Sequence, residues 1–163
     1  MTVYRSSSAS ETKKFATALA RRIKENYLPG KRALLLALKG DLGAGKTVFS
    51  KGFLSGFGIN RVTSPTFVIM KRYKIRGGSV KNLYHFDCYR IRSEDELKLL
   101  EISSIIKNPE NVIIMEWPQN AGRYGLGSVI DISLGDRKNE RIISIKDKKI
   151  RKFLNSDPAQ TVS

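Results

Sequence analysis

Apolar and polar positions along the chain recur with periods that predict a mixed α/β protein. Residues 15, 19, 23 and 27 form one apolar stripe, which predicts a helix that starts near Ser8 and ends before residue 29. Residues 32–38, which contain ALLLAL, are apolar on both faces and predict a strand in the middle of a sheet. Residues 46–57 return to helical spacing, although two glycines weaken that helix unless close packing requires them.

The second half of the chain predicts more strands and one further helix. FVIMKRYKI and VKNLYHFD predict strands joined by the turn RGG, and VIIM at 112–115 predicts a buried strand. Ser93 and Glu96 have capping-box spacing, which predicts a helix to about Ile105. VIDISL and RIISI predict a final hairpin. The pattern therefore predicts an α/β fold whose central mixed sheet has a parallel core and antiparallel strands, with helices on both faces.

Length and composition fit one globular domain. The chain has 163 residues, and we expect a single domain over residues 1–154 with a disordered polar tail over residues 155–163. Its longest aliphatic run is too short to span a bilayer, so no membrane partner is expected. The single cysteine, Cys88, excludes an internal disulfide and suits the cytoplasm. We therefore expect a soluble, cytoplasmic protein.

The charge of the chain is strongly positive. Lysine and arginine number 30 against 15 acidic residues, which gives a formal charge of +15 at pH 7. Basic residues cluster at 13–14, 21–22, 71–72 and 146–152, without the interleaved aromatics of a base-stacking surface. Two interpretations stay open: an RNA or acidic protein partner, or lysines that only solvate the surface.

The strand over residues 32–38 is followed directly by GDLGAGKT at 40–47, which satisfies G-x-x-x-x-G-K-[ST]. Glycines let successive backbone N–H groups point inward as an anion-binding nest, which ends at the N-terminus of the next helix. Lys46 is expected to reach the β- and γ-phosphates of a nucleotide, and the Thr47 hydroxyl is expected to bind Mg²⁺. The motif therefore predicts nucleotide binding.

Hydrolysis needs acidic groups beside this loop, and two strands end in one. Asp87 closes LYHFD and Glu116 closes VIIME. If both strands run parallel to the strand before the loop, both carboxylates emerge at the edge of the sheet where α/β proteins bind ligands. If LYHFD runs antiparallel to it, Asp87 lies at the opposite edge and has no such role.

Four other residues near these motifs each allow two interpretations, and a fifth allows one. His85 shares a face of its strand with Asp87 and is either a base or a packed core residue. Arg90 either neutralises phosphate charge or forms a structural ion pair, and Trp117 either stacks near the nucleotide or fills the core. Thr66 in SPTF is either a γ-phosphate sensor or part of a turn. Cys88 is expected to be inert core filling.

Four motifs together, GDLGAGKT, SPTF, HFDCYR and MEWP, resemble the TsaE (YjeE) family in their order and spacing. The resemblance covers residues 8–145, and the second and third motifs are more specific than the phosphate-binding loop. It implies a bacterial P-loop ATPase of the pathway that makes threonylcarbamoyladenosine in tRNA. Such a protein binds ATP with Mg²⁺, hydrolyses it slowly alone, and acts with TsaB and TsaD. TsaD, and not the ATPase, modifies the tRNA, so an indirect contact with tRNA is expected and a direct contact stays open.

The resemblance also implies which residues form the site. Lys46, Asp87 and Glu116 would be catalytic, and Thr47 with Glu116 or Asp87 would hold the metal. The nucleotide would contact Thr12, Asp41, Leu42, Gly43, Ala44, Gly45, Lys46, Thr47, Val48 and Trp117. The sequence departs from the family pattern at two places. LLEISS stands where many relatives have a glycine followed by an acidic residue, and Val48 stands where a second threonine is common.

Two other functions stay open from the residues alone. A small P-loop kinase would use Asp87 as base, but no arginine-rich lid insertion is evident between residues 91 and 111. A nucleic-acid-binding module would use the loop to grip a backbone, and it would bind RNA without ATP and without hydrolysis.

Overall fold

The computed structural model describes residues 1–60, 69–125, 127–134 and 140–154. Thr66 and the tail after residue 154 lie outside the described residues, so the structure does not test the predictions made for them. The strands are β1 (Thr2–Ser6), β2 (Leu34–Lys39), β3 (Met70–Lys74), β4 (Asn82–Asp87), β5 (Asn111–Glu116), β6 (Ser128–Leu134) and β7 (Arg141–Ile145). The helices are α1 (Ala9–Asn26), α2 (Lys46–Gly56), α3 (Glu94–Lys98), α4 (Ile102–Lys107), α5 (Lys148–Arg151) and a 3₁₀ segment (Pro118–Gly125).

The seven strands of the described residues form one sheet in the order β1-β7-β6-β2-β5-β4-β3. β6, β2, β5 and β4 are parallel, and β1, β7 and β3 add antiparallel pairs at the two sides. This confirms the predicted parallel core with antiparallel extensions and the predicted final hairpin. β4 does not neighbour β2 directly, because β5 lies between them, but it runs parallel to it, so the carboxyl ends of all three strands meet at one edge.

The helices cover both faces of the sheet, as predicted. α1 and α2 pack on one face over a core that includes Leu36, Leu83 and Ile114. Two glycines of α2 allow α1 to approach closely. A Cβ added at Gly52 would lie 2.5 Å from the Lys13 carbonyl oxygen, so this position requires glycine despite its low helix propensity.

α3, α4 and the 3₁₀ segment pack on the other face, and here the prediction of one helix from Ser93 to Ile105 is wrong. The chain breaks at Glu101, whose φ is 53°, and continues as α4. In one continuous helix, Leu97 and Ile102 would point about 140° apart around the axis. The break allows both side chains to be fully buried in the same core.

Three elements have no counterpart in the sequence-based prediction: β1, the 3₁₀ segment and α5. β1 pairs with β7, and the ring of Tyr4 stacks on Phe15 of α1 at a centroid distance of 4.4 Å. β1 therefore places the start of α1 beside the sheet edge that carries the glycine loop. None of the helices in the described residues is both long enough and apolar enough to cross a membrane.

Candidate nucleotide-binding site

The glycine loop leads from the end of β2 into the first turn of α2. Gly43 and Gly45 have φ angles of 79° and 105°, a region that residues with a side chain rarely adopt. Gly45 is the N-cap of α2, and no side chain among the described residues caps this helix. The first-turn amides are therefore available to an anion, and the helix dipole adds positive potential there.

Lys46 begins α2, and its ammonium group is held over the loop. Nζ donates hydrogen bonds to the carbonyl oxygens of Gly40 at 2.6 Å and Asp41 at 2.7 Å, and it lies 3.7 Å from the centroid of the Trp117 ring. Burial lowers the pKa of Lys46, and nearby carboxylates, that of Glu116 most strongly, oppose this shift. The Lys46 ammonium is thus partly shielded from water, and it is hydrogen-bonded to the backbone of the loop.

Thr47, Glu116 and His85 form a hydrogen-bonded chain beside that charge. The Thr47 hydroxyl donates to Glu116 Oε2 at 2.9 Å, and His85 Nε2 lies 3.0 Å from Glu116 Oε1. His85 and Glu116 are each only 2% exposed. The three residues come from α2, β5 and β4, whose facing surfaces form one core. The carboxylate of Glu116 is therefore fixed at both oxygens.

Glu116 is ionised in this setting. Burial by itself would raise the pKa of its carboxyl group, but hydrogen bonding from His85, the charge of His85 and hydrogen bonding from Thr47 outweigh burial and lower the pKa below its usual value. A buried carboxylate that keeps its negative charge and touches a hydroxyl presents two hard oxygen donors close together. Such donors are the ligands that Mg²⁺ prefers.

Asp87 lies next to Glu116, because β4 and β5 are parallel and pair these two residues in register. Its side chain is half-buried. Oδ1 accepts a hydrogen bond from the Tyr89 backbone N–H at 3.1 Å, and within the described part of the chain Oδ2 has no hydrogen-bond donor. Among the described residues, Asp87 therefore has one carboxylate oxygen without a hydrogen-bond donor, in contrast to Glu116.

The residues after the two acids build the wall of the site. Trp117 has a φ of 57°, a conformation that costs a non-glycine residue about 1 kcal/mol or more. In this conformation its ring faces Lys46 and also lies 5.0 Å from the ring of Tyr89. The Asn120 side chain ties the two segments together by donating to the carbonyl oxygens of Cys88 and Tyr89.

Two further residues weighed from the sequence, Cys88 and Arg90, follow Asp87 in the chain. Cys88 is fully buried in the core on the opposite face of the sheet, and burial, as the main cause, raises the pKa of its thiol to about 12. A thiol with this pKa is protonated at neutral pH and is not a nucleophile. Arg90 is exposed in the turn after β4, and its proposed charge-neutralising role stays a prediction.

A cavity of about 340 Å³ lies on the other side of the loop, next to the start of α1. Its lining joins the corner between β1 and α1 to the loop and to β7, and consists of Ser7, Ser8, Ala9, Thr12, Gly43, Gly45, Val48 and Arg141. Thr12 is 1% exposed, and its hydroxyl is hydrogen-bonded to Ser6 at 2.8 Å. The space beside Thr12 matches the size class of small-molecule sites.

Arg141 is the charged residue of this lining, and like Ser7, Ser8 and Ala9 it was not among the nucleotide contacts predicted from the sequence. It begins β7, and its Nη2 donates to the Gly43 carbonyl oxygen at 3.3 Å. It follows a polar stretch and carries no motif, so only the pairing of β7 with β6 and β1 brings it to the loop. Leu42, in contrast, stands out from the loop tip with 74% of its surface exposed, and Ala44 is fully buried.

The residues present fit a magnesium nucleotide. The uncapped helix start and the positive-φ glycines suit a chain of phosphates, and the oxygen donors of the exposed Thr47 and the buried Glu116 suit Mg²⁺. The two sides of the loop divide the site: charged groups lie toward β5, and the cavity beside Thr12 lies toward β1.

A parallel-core sheet with a glycine loop between its central strand and a helix defines a protein with the P-loop NTPase fold. Residues 6–143 match the family model "Threonylcarbamoyl adenosine biosynthesis protein TsaE". The chain therefore belongs to the TsaE family of threonylcarbamoyl adenosine biosynthesis proteins, and the resemblance carried by the four motifs is confirmed.

Individual relatives agree with this assignment. The chain is 34% identical over 142 residues to the tRNA threonylcarbamoyladenosine biosynthesis protein TsaE of Rickettsia typhi, covering 85% of this chain and 90% of that one. The match to the Haemophilus influenzae protein of the same name is 37% identical and covers 66% of this chain and 62% of the relative. The crystal structure of Bacillus subtilis YdiB superposes with a TM-score of 0.64 at 29% identity, over 93% of this chain and 90% of that chain.

Proposed function

We propose that this chain is a Mg²⁺-dependent ATP-binding protein and slow ATPase that serves the threonylcarbamoyladenosine modification of tRNA. The observation that carries the proposal is the hydrogen bond between Thr47 of the loop helix and the ionised Glu116 of the neighbouring strand. A loop that binds only phosphates does not need a buried carboxylate, such as that of Glu116, hydrogen-bonded to the Thr47 hydroxyl. The charge of Glu116 is costly to bury unless positive charge balances it, and a metal ion at Thr47 would add to the contribution of His85.

Different residues would bind the parts of the nucleotide. The loop amides and Lys46 would bind the phosphates, and Thr47 with Glu116 would hold Mg²⁺. The metal supplies charge neutralisation at the phosphate oxygens. Thr12 and Arg141, on the far side of the loop, line the cavity proposed for the base and ribose.

The two acids would divide the remaining work. Both oxygens of Glu116 are engaged by Thr47 and His85, which suits a fixed metal anchor. Asp87 keeps one oxygen without a donor among the described residues, which suits a group that orients the attacking water. We therefore propose that Glu116 is the acid that lies closer to the metal.

We also propose that the chain acts with TsaB- and TsaD-type proteins in the cytoplasm. Two large apolar side chains stand out near the site: Leu42 at the loop tip, 74% exposed, and Tyr89 beside Trp117, 53% exposed. A partner that covers them would touch the loop and the turn that follows Asp87. Nucleotide state and partner binding would then influence each other.

Phosphate release tests this function directly. We expect the purified chain to release phosphate from ATP slowly, only with Mg²⁺, and at a rate that changes when the two partner proteins are added. A small-molecule kinase would instead need an acceptor hydroxyl for turnover. A nucleic-acid-binding module would bind RNA but show neither ATP binding nor hydrolysis, and that result would refute the proposal.

His85 is expected to be a positioning residue that acts through Glu116. Replacing His85 with Ala removes the contact to Glu116 Oε1, and we expect turnover to fall about 10- to 100-fold, as for other groups that orient metal ligands. ATP affinity measured without Mg²⁺ should stay within about twofold, because the loop contacts are unchanged.

The control for this prediction is His85→Gln, whose side-chain amide can donate to the same oxygen. We expect His85→Gln to recover part of the lost turnover, whereas a purely packing role would make both variants equally poor. Equal turnover of His85→Ala and the unmodified protein would show that Glu116 needs no such support.

A further inference from the structure

A second cavity, of about 330 Å³, lies at the edge of the sheet opposite the glycine loop. Arg32 lies two residues before β2, and Lys107 ends α4. The Ala33 backbone N–H donates to the Ile106 carbonyl oxygen at 2.9 Å and so joins the two segments. Because the loop follows the other end of the six-residue β2, about 20 Å of strand separates this cavity from the nucleotide site.

Three cationic side chains line this cavity: Arg32, Lys107 and Arg123. Arg123 also contacts Glu94, with Nε 3.3 Å from the carboxylate. Arg32 and Lys107 form no ion pair within the described residues. One carboxylate therefore balances three positive charges, and the cavity keeps a net positive charge.

Two hydroxyl groups complete the lining. The side chain of Tyr124 is buried, and its hydroxyl accepts hydrogen bonds from Ser103 at 3.5 Å and Arg123 at 3.1 Å. These bonds, that of Ser103 first, lower the pKa of Tyr124, which makes its O–H a stronger donor. Because the oxygen already accepts two bonds, its own hydrogen is available to a ligand in the cavity.

We propose that this cavity binds a phosphate group of an RNA backbone. A carboxylate has two oxygens and one charge, and a single arginine satisfies it. A backbone phosphodiester also carries one charge, but it repeats along the chain, so three cations with a hydroxyl donor suit two successive phosphates better than one isolated carboxylate. The assignment does not depend on the proposed ATPase function.

The surroundings favour a polynucleotide over a single free phosphate. β3 ends at Lys74, which pairs with the first residue of β4, so this end of both strands lies at the same edge of the sheet as Arg32. Lys31, Lys74, Arg76 and Lys81 add positive charge along the part of that edge that β2, β5, β4 and β3 form, where Glu110 lies just before β5. A row of positive side chains of this kind suits the successive phosphates of a polynucleotide and does not distinguish one base sequence from another.

The test is binding of a fluorescein-labelled RNA stem-loop to the full chain, followed by fluorescence anisotropy at several KCl concentrations. For the double variant Arg32→Ala/Lys107→Ala we expect about tenfold weaker binding at low salt. We also expect the slope of log affinity against log salt to fall by about 1.5, since two phosphate contacts are lost. Tyr124→Phe changes no charge and should weaken binding several-fold while leaving the slope unchanged.

The matched control is Lys13→Ala/Lys14→Ala, which removes the same charge from exposed positions of α1. We expect this pair to change affinity by less than about twofold. An equal loss in both double variants would show a diffuse charge effect and overturn the proposal, as would normal RNA binding by Tyr124→Phe.

Competition separates the possible ligands. Saturating ATP should leave the RNA bound, because the nucleotide loop is a different site. Polyglutamate at the same charge concentration should displace the RNA poorly, and efficient displacement would reassign the surface to acidic proteins. Full displacement of the RNA by low-millimolar inorganic phosphate would show that the cavity binds the free ion instead. Thermal unfolding of each variant confirms that it is folded.

Discussion

The variant Lys46→Ala is expected to lose measurable ATP binding. Lys46 as a whole is 5% exposed, and its ammonium lies over the loop carbonyls, where it adds a full positive charge to the partial charges of the helix start. A charge-assisted hydrogen bond contributes about 1.5–3 kcal/mol, so the loss of two phosphate contacts predicts at least a hundredfold weaker binding. Isothermal titration calorimetry with ATP and Mg²⁺ measures the effect.

The control for Lys46→Ala is Lys51→Ala, which removes the same charge from the same helix. Lys51 lies in the middle of α2, away from the loop, and we expect its substitution to leave ATP affinity nearly unchanged. Circular dichroism establishes that both variants are folded. ATP binding by Lys46→Ala with undiminished affinity would remove the ammonium group from the proposed phosphate site.

Much of the fold was predictable because the central strands of the parallel core are contiguous apolar runs in the sequence. β2 and β5 are buried on both faces, and such strands are apolar at nearly every position. The break at Glu101 was not predictable from a capping signal, because that signal fixes where a helix starts and not where it stops. Tertiary packing of Leu97 and Ile102 in one core decided the break.

The candidate site was predictable to the extent that its groups are local in sequence. Eight consecutive residues define the loop, and strand ends located both acids. Contacts between distant segments were not predictable. The placement of Lys46 over Trp117 depends on the positive φ of Trp117, and Arg141 reaches the loop only through strand pairing at the far side of β6. The basic cavity likewise combines residues that are about 90 positions apart, so no charge cluster in the sequence indicated it.

The second large effect is expected for Glu116→Ala and for its close-shaped counterpart Glu116→Gln. Both remove the negative charge that Thr47 and His85 hold in place, so we expect turnover to fall by about a hundredfold or more. ATP binding without Mg²⁺ should persist, because the loop amides and Lys46 are intact. The added affinity that Mg²⁺ gives should disappear, because the metal loses its acidic anchor.

The variant Asp87→Asn distinguishes an anchor from a water-orienting group. If Asp87 orients water, this variant loses turnover to a similar extent but keeps the Mg²⁺-dependent gain in ATP affinity, since Thr47 and Glu116 are unchanged. Trp117, the single tryptophan, reports both titrations by its fluorescence, because its ring faces the Lys46 ammonium. The reverse outcome, in which Asp87→Asn abolishes the Mg²⁺ effect and Glu116→Gln preserves it, would exchange the two roles. Wild-type turnover in both single variants would show that neither carboxylate takes part in hydrolysis, and the enzymatic function proposed for this site would then be wrong.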